Sequence, residues 1–148
     1  MKTLLLSSLV LSLGLAAAIA GPADEKAFTE KYKKAFEAKD MTTLQSFLYT
    51  TGSDPTIVGF YQMMMSAEAG NKISKIDLVP LSAEDAQKAA GAQESPGGGK
   101  VCLPLKPTRK LIVEVSMKEG ESSGNSKSES FVAEKDGKLV IPVPGPCK

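Results

Sequence analysis

Few residues of this 148-residue chain could catalyse a reaction, because the sequence contains no histidine. That absence excludes Ser-His-Asp and Cys-His catalysis, and it removes the commonest ligand of transition metals. A proton-transfer site would therefore have to combine tyrosine with aspartate. The candidates are Tyr32, Tyr49, Tyr61, Asp54 and Asp77. We expect Asp54 to cap a helix and Asp77 to lie on the solvent side of a strand, so we assign no catalytic residue.

The two cysteines, Cys102 and Cys147, allow a single intramolecular disulfide. In an oxidising compartment such a pair is normally joined, and we predict that it is joined here. Closing a loop of about 46 residues stabilises a fold by about 4 kcal/mol in the chain-entropy model. A redox-active dithiol usually has C-x-x-C spacing, which this chain lacks. We therefore predict a structural disulfide that ties the proline-rich tail, residues 142–148, to the segment near Cys102.

Three consecutive methionines, Met63, Met64 and Met65, raise the question of a copper site, since thioethers bind Cu(I). Successive residues of a helix point about 100° apart, so the three sulfur atoms cannot converge on one ion. We expect Met64 and Met65 to fill the core and Met63 to lie at its edge or at an interface. No metal and no cofactor are predicted.

Two further features could bind an anion. Residues 97–100 (GGGK) resemble the end of a phosphate-binding loop, but Glu94 and Val101 stand where that motif needs glycine and Ser or Thr. Arg109, the only arginine, is the better candidate for an anion clamp, although an ordinary surface charge is the simpler interpretation. One arginine and no basic stripe argue against nucleic-acid binding.

The N-terminus predicts export. The first 20 residues resemble a signal peptide: Lys2 is followed by an apolar run of about 16 residues and then by Ala18-Ile19-Ala20. We predict cleavage after Ala20. The run is shorter than the roughly 20 residues of a membrane-spanning helix. The remaining 21–148 form one domain, secreted or periplasmic, with no stable membrane insertion. Its 17 basic and 17 acidic residues balance.

The elements that would position these residues begin with helices. Apolar residues at helical spacing predict a first helix whose buried face holds Phe28, Tyr32, Ala35 and Phe36. Two shorter helices should follow, capped by Asp40 and Asp54. A fourth should begin after Ser82 and continue through Ala90.

Strands occupy the second half of the chain. Residues 72–81 and 110–117 predict strands, and Asp136-Gly137 predicts a two-residue hairpin between 131–134 and 138–143. Residues 101–105 suit an edge strand because Pro104 interrupts them. We expect flexible loops near 91–100 and 118–128, where glycine, serine and charged residues dominate. Helices followed by strands indicate an α+β fold.

Residues 35–48 (AFEAKDMTTLQSFL) resemble the helix break of the ketosteroid-isomerase-like (nuclear-transport-factor-like) α+β cone superfamily, in which a Lys-Asp step separates a long helix from a short one. Residues 47–81 are similar to small exported bacterial proteins of no assigned activity. The resemblance covers most of 24–143. It implies N-terminal helices packed on a curved antiparallel sheet (a cone, or cystatin-like roll), with a cavity that members use for catalysis, ligand binding or dimer contacts.

We expect an exported, non-enzymatic module that binds a small apolar ligand or a partner protein. The cavity should lie near Tyr32, Tyr61 and Met64. One alternative is an isomerase- or dehydratase-like enzyme that uses Tyr and Asp, with an Asp deep in the cavity. Another is a structural or self-associating envelope protein, a homodimer through the outer sheet face. The charges of Lys110 and Glu114 on that face argue against a large apolar interface.

Overall fold

The structure, a computed structural model, describes residues 19–120 and 122–148. Most of the predicted signal peptide, residues 1–18, lies outside the described residues. Four helices and eight strands follow one another in the order α1 (Pro22–Glu37), α2 (Met41–Ser46), β1 (Leu48–Tyr49), α3 (Pro55–Glu68), β2 (Lys72–Pro80), α4 (Ala83–Ala90), β3 (Gln93–Glu94), β4 (Lys100–Cys102), β5 (Pro107–Glu119), β6 (Ser122–Lys135), β7 (Lys138–Pro142) and β8 (Gly145–Pro146).

The helices begin where the sequence places caps. The side chain of Asp40 accepts a hydrogen bond from the Thr43 N–H, and that of Asp54 accepts from two N–H groups in the first turn of α3. Ser82 caps α4 in the same way. The four buried residues of α1 are the predicted ones, Phe28, Tyr32, Ala35 and Phe36. The helical period therefore identified the face of α1 that packs on the sheet.

Five strands form a curved, open sheet in the order β1-β7-β6-β5-β2, with helices packed against it, so the predicted α+β fold is confirmed. The sheet is not purely antiparallel. Strand β1 runs parallel to β7, with Leu48 opposite Ile141 and Tyr49 opposite Pro142. The inner face buries side chains from α1, α2 and four of the strands. They are Phe28, Tyr32, Ala35, Phe36, Leu44, Phe47, Ala69, Ile73, Leu111, Val113, Val115, Val132 and Ile141.

The predicted loop over residues 118–128 is wrong. Residues 118–119 and 122–128 belong to the ends of β5 and β6, which pair from Pro107↔Ala133 to Glu119↔Ser122. The first half of β6, SSGNSKSES, has almost no apolar residues, so it carries no strand signal of its own. It is a strand because β5, with its regular alternation of apolar residues, supplies a complete ladder of hydrogen-bonding partners. The predicted turn at Asp136-Gly137 is confirmed, with positive φ angles at both residues.

A small second sheet, β3-β4-β8, holds the C-terminus. Strand β4 is its central strand and not an edge, because β8 pairs with it on one side and β3 on the other. The predicted disulfide is present, with the Cα atoms of Cys102 and Cys147 4.9 Å apart. The predicted loop over residues 91–100 contains short strand segments, because Gln93–Glu94 form β3 and Lys100 begins β4.

The C-terminal tail also packs against the turn before α3. The Asp54 N–H donates to the carbonyl oxygen of Pro144, and the Ser53 hydroxyl donates to that of Val143. Gly145 lies so close to this turn that an added Cβ would overlap the Gly52 carbonyl oxygen. A second apolar cluster of Ile57, Val101 and Val143 lies beneath it. None of the helices in the described ranges is long and apolar enough to cross a membrane.

Candidate functional site

Helix α3 is rich in apolar residues, yet most of them are not buried. Ile57 is its one buried residue, whereas Phe60, Met63 and Met64 are 40%, 60% and 49% exposed. The prediction that Met64 fills the core is therefore wrong. Met65 does pack against the core. Apolar side chains occupy nearly the whole circumference of α3, and a helix resting on a sheet can bury only one side, so the others face solvent.

A cleft of about 200 Å³ separates α3 from β6, and we call it the α3–β6 cleft. One wall consists of apolar side chains from α3, and the other consists of polar residues from β6. The lining residues are Phe60, Tyr61, Met64, Met65, Glu68, Ser128, Glu129, Ser130 and Ile141. An apolar wall facing a few polar groups is the usual composition of a small-molecule or peptide site.

The β6 wall of the cleft is an open sheet edge. Strand β6 pairs with β5 from Ser122 to Ala133, but it pairs with β7 only at Ala133, Glu134 and Lys135. After Val140 the chain of β7 leaves β6 and pairs with β1 instead. Over residues 122–132, therefore, β6 has no strand partner on that side among the described residues, and no other backbone hydrogen bond of the described chain reaches it.

Two glutamates line the cleft, and the partners of their carboxylates differ. The Glu129 carboxylate contacts the Lys127 and Lys110 amino groups at 2.9 and 3.2 Å, and hydrogen bonds from these two lysines lower the pKa of Glu129. Glu68 accepts a hydrogen bond of 2.7 Å from the Ser126 hydroxyl. Within the described part of the chain, no Lys or Arg nitrogen lies within 4 Å of the Glu68 carboxylate.

The structure separates the four residues that the sequence suggested for a pocket. Tyr61 and Met64 line the α3–β6 cleft, and burial raises the pKa of Tyr61, so its hydroxyl stays protonated at neutral pH. Tyr32 lies in the core, 6% exposed, where burial raises the pKa of its hydroxyl to about 12. Arg109 donates to the Glu25 carboxylate at 2.7 Å and so ties β5 to α1.

The remaining lining residues were not singled out in the sequence. In the sequence, Phe60 is one of several apolar residues of α3 and does not stand out. The serines of β6 belong to a segment whose composition resembles a loop. The available signal was the composition of α3, which has more apolar residues than one buried face can hold. A surplus of that kind indicates an exposed apolar surface.

A Tyr–Asp catalytic pair finds no support in the described residues. None of their polar or charged residues is buried, so no aspartate lies in the interior beside a tyrosine hydroxyl. Asp54 caps α3, and Asp77 forms an ion pair of 3.3 Å with Lys75 on the surface. The described chain also contains no group of three or more His, Cys, Asp or Glu residues that could hold a metal ion.

A second groove, of about 440 Å³, lies between α4 and the segment that follows β4. We call it the α4 groove. Its lining is aliphatic and proline-rich: Leu81, Ala86, Ala89, Ala90, Cys102, Leu103, Pro104, Leu105, Lys106 and Pro107. It has no open strand edge and no carboxylate, so it offers fewer directional contacts than the α3–β6 cleft.

Searches against protein-family models, curated proteins and solved structures give no match to this chain. Its function must therefore be argued from the geometry of the site.

Proposed function

We propose that this protein is an exported, non-enzymatic binding module that holds the apolar part of a ligand or partner protein in the α3–β6 cleft. The observation that carries the proposal is the exposure of Phe60, Met63 and Met64 beside that cleft. Large side chains of this kind are normally buried, and when they cluster on a surface they mark an interaction site. Methionine suits such a surface because its flexible side chain adapts to different shapes.

The free energy available from the cleft is sufficient for specific binding. Phe60 and Met64 are already about half covered, so burying the rest of each side chain contributes about half of the roughly 1.5–3 kcal/mol that a fully exposed one would give. Several such side chains, with a few polar contacts, would offset the entropy lost on association. The cleft volume of about 200 Å³ is below the usual range for drug-sized ligands, so we infer that it holds a narrow or small apolar group.

Export and superfamily membership belong to the same proposal. The leader sequence and the Cys102–Cys147 disulfide support a secreted or periplasmic location, because disulfides persist in oxidising compartments. The arrangement of helices on a curved, open sheet is compatible with the cone superfamily that residues 35–48 resemble.

The test uses N-phenyl-1-naphthylamine, a neutral apolar fluorophore whose emission rises when it leaves water. We expect a saturable rise with the wild-type protein, and at least a roughly tenfold weaker affinity for Met64→Asp, because a charge replaces a side chain that contacts the probe. Leu105→Asp, in the α4 groove, is the matched control and should bind as the wild type does. No saturable rise with the wild type, or loss of binding only in Leu105→Asp, would contradict the proposal.

Native mass spectrometry of the protein purified from a culture or envelope fraction separates a binding module from a self-associating one. A monomer that carries additional mass supports binding. A homodimer without bound mass would instead favour self-association. If Met64→Asp then dissociates that dimer, the exposed face of α3 is the dimer interface.

A further inference from the structure

We propose that the natural ligand of the α3–β6 cleft is an extended peptide that adds as a strand to the open edge of β6, with a basic side chain directed at Glu68. This inference rests on the proposed function, because it names the ligand of the same cleft. Three features carry it: the open edge of β6, the helix beside that edge, and the charge of Glu68.

The backbone of β6 presents hydrogen-bonding groups to the cleft. In a two-residue hairpin the residues that flank the turn form a hydrogen-bonded pair, here Lys135 and Lys138. Backbone groups alternate in direction along a strand, so the N–H and C=O groups of Phe131, Glu129 and Lys127 point away from β5. Over these positions β7 has already left β6, so within the described chain the groups have no strand partner.

The helix runs beside this edge for a length that suits a short peptide. The hydrogen bond between Ser126 and Glu68 places the C-terminal end of α3 next to the middle of the open edge. Phe60 and Glu68 are about 12 Å apart along the helix axis. The span from Ser126 to Ser130 along β6 is about 13 Å. Strand and helix thus form a channel about four extended residues long.

An extended peptide matches both walls of this channel. Its backbone would pair with β6, and alternate side chains would contact the apolar residues of α3, because successive side chains of a strand point to opposite sides. The Glu68 carboxylate has no cationic partner within the described residues and favours a lysine or arginine at that end. A second copy of this chain fits less well, because its sheet edge would bring its own α3 into a cleft of about 200 Å³.

The other long edge of the sheet, β2, shows what a protected edge looks like in this protein. It carries Lys72, Lys75 and a terminal Pro80, and its ladder is irregular between Ile73 and Lys75. Charged residues, proline and bulges all discourage the addition of a strand. The open edge of β6 also carries two charged residues, Lys127 and Glu129, but it has no proline and its ladder with β5 is regular from Ser122 to Val132, so it can accept a strand.

The first experiment uses fluorescein-labelled octapeptides of alternating threonine and valine with one central lysine, and follows fluorescence polarisation. Two further peptides carry N-methyl groups on either the odd or the even residues. Only one edge of the peptide pairs with β6, so we expect one N-methylated peptide to lose at least about tenfold in affinity and the other to bind nearly normally. Equal binding by both, or equal loss in both, would overturn strand addition.

The second experiment changes the protein. Lys127→Pro removes an N–H group that faces the open edge of β6, and Lys127→Ala removes the same side chain but keeps that N–H. We expect only Lys127→Pro to lose peptide affinity, by about tenfold, with N-phenyl-1-naphthylamine binding retained in both, because Lys127 does not line the α3–β6 cleft. Glu68→Gln should abolish the preference for the lysine peptide over one with norleucine at that position. Equal peptide affinity in the two Lys127 variants would contradict the proposal.

These results distinguish the inference from the proposed function. If the fluorophore binds and no peptide does, the peptide inference fails and the binding module stands. If neither binds, the proposed function fails as well. If the wild type forms a dimer that Lys127→Pro abolishes, a second copy occupies the edge and the peptide inference is overturned.

Discussion

Removing the disulfide should destabilise the protein without changing its native structure. Cys102 ends β4, and Cys147 follows β8 directly, so the bond joins two segments that already pair in the small sheet. The tail is also held by the hydrogen bonds that Pro144 and Val143 accept from the turn before α3. These contacts remain in the double variant Cys102→Ser/Cys147→Ser. The bond therefore acts mainly on the unfolded chain, whose freedom it restricts.

The expected magnitude follows from the sequence separation of 45 residues. The chain-entropy relation assigns about 4 kcal/mol at 25 °C to a loop of this size. Unfolding entropy is about 2.1 cal/mol/K per residue near 60 °C, and the chain after Ala20 has about 130 residues. The midpoint of thermal unfolding should therefore fall by about 15 °C.

The assay is urea unfolding followed by far-ultraviolet circular dichroism, with the wild type measured oxidised and reduced. The double serine variant is the control, since a reducing agent should not affect it. Its spectrum without urea should match that of the oxidised wild type. A decrease in the free energy of unfolding smaller than about 1 kcal/mol would refute the reasoning. So would a native spectrum already altered without urea, because the bond would then be needed to hold the folded tail.

Three further predictions concern positions outside the cleft. Gly145→Ala should lower the free energy of unfolding in urea by about 1–3 kcal/mol, because the new methyl group overlaps the Gly52 carbonyl. Gly91→Ala is the control, since its methyl group meets only ordinary contacts and should not destabilise the protein. Equal stability of the two variants would contradict this prediction. Burial raises the pKa of Tyr32 to about 12, so the folded protein holds this proton more tightly than the unfolded chain does. The free energy of unfolding should then fall between about pH 10 and pH 12, and a Tyr32→Phe variant with the same fall would disprove the assignment. Asp54→Ala should lower the free energy of unfolding by about 1 kcal/mol in thermal unfolding, because two N–H groups of α3 lose their acceptor. Asp54→Asn should restore most of this stability. If neither Asn nor Ser at position 54 restores it, the capping role is contradicted.

The sequence was a reliable guide wherever an element buries one regular face. Helix α1 alternates apolar and polar residues with the helical period, and β5 does so with the period of a strand, so their buried residues could be read directly. The caps at Asp40, Asp54 and Ser82 were equally predictable, because the cap bond forms between residues close in the chain.

The candidate site was predictable only in part, because it depends on pairing between distant segments. Strand β6 forms on the template of β5, and nothing in the composition of residues 122–130 indicates it. Its open edge exists because β7 turns away to pair with β1, and the two paired segments, residues 48–49 and 141–142, are more than 90 positions apart in the sequence. Met64 was placed in the core because α3 is apolar on most sides, and periodicity cannot select a buried face on such a helix.

The place of β7 in the sheet also governs when the fold can form. Strand β7 lies between β1 and β6, and the N–H groups of Ile141 and Val143 donate to the carbonyl oxygens of Phe47 and Tyr49. The N-terminal helices and the strand that follows them therefore complete their core only when residues 138–143, about 90 positions further along the chain, pair with β1. Contacts between such distant segments form slowly, since a long loop must close first. Closure of the sheet between β1 and β6 should therefore be a late step in folding.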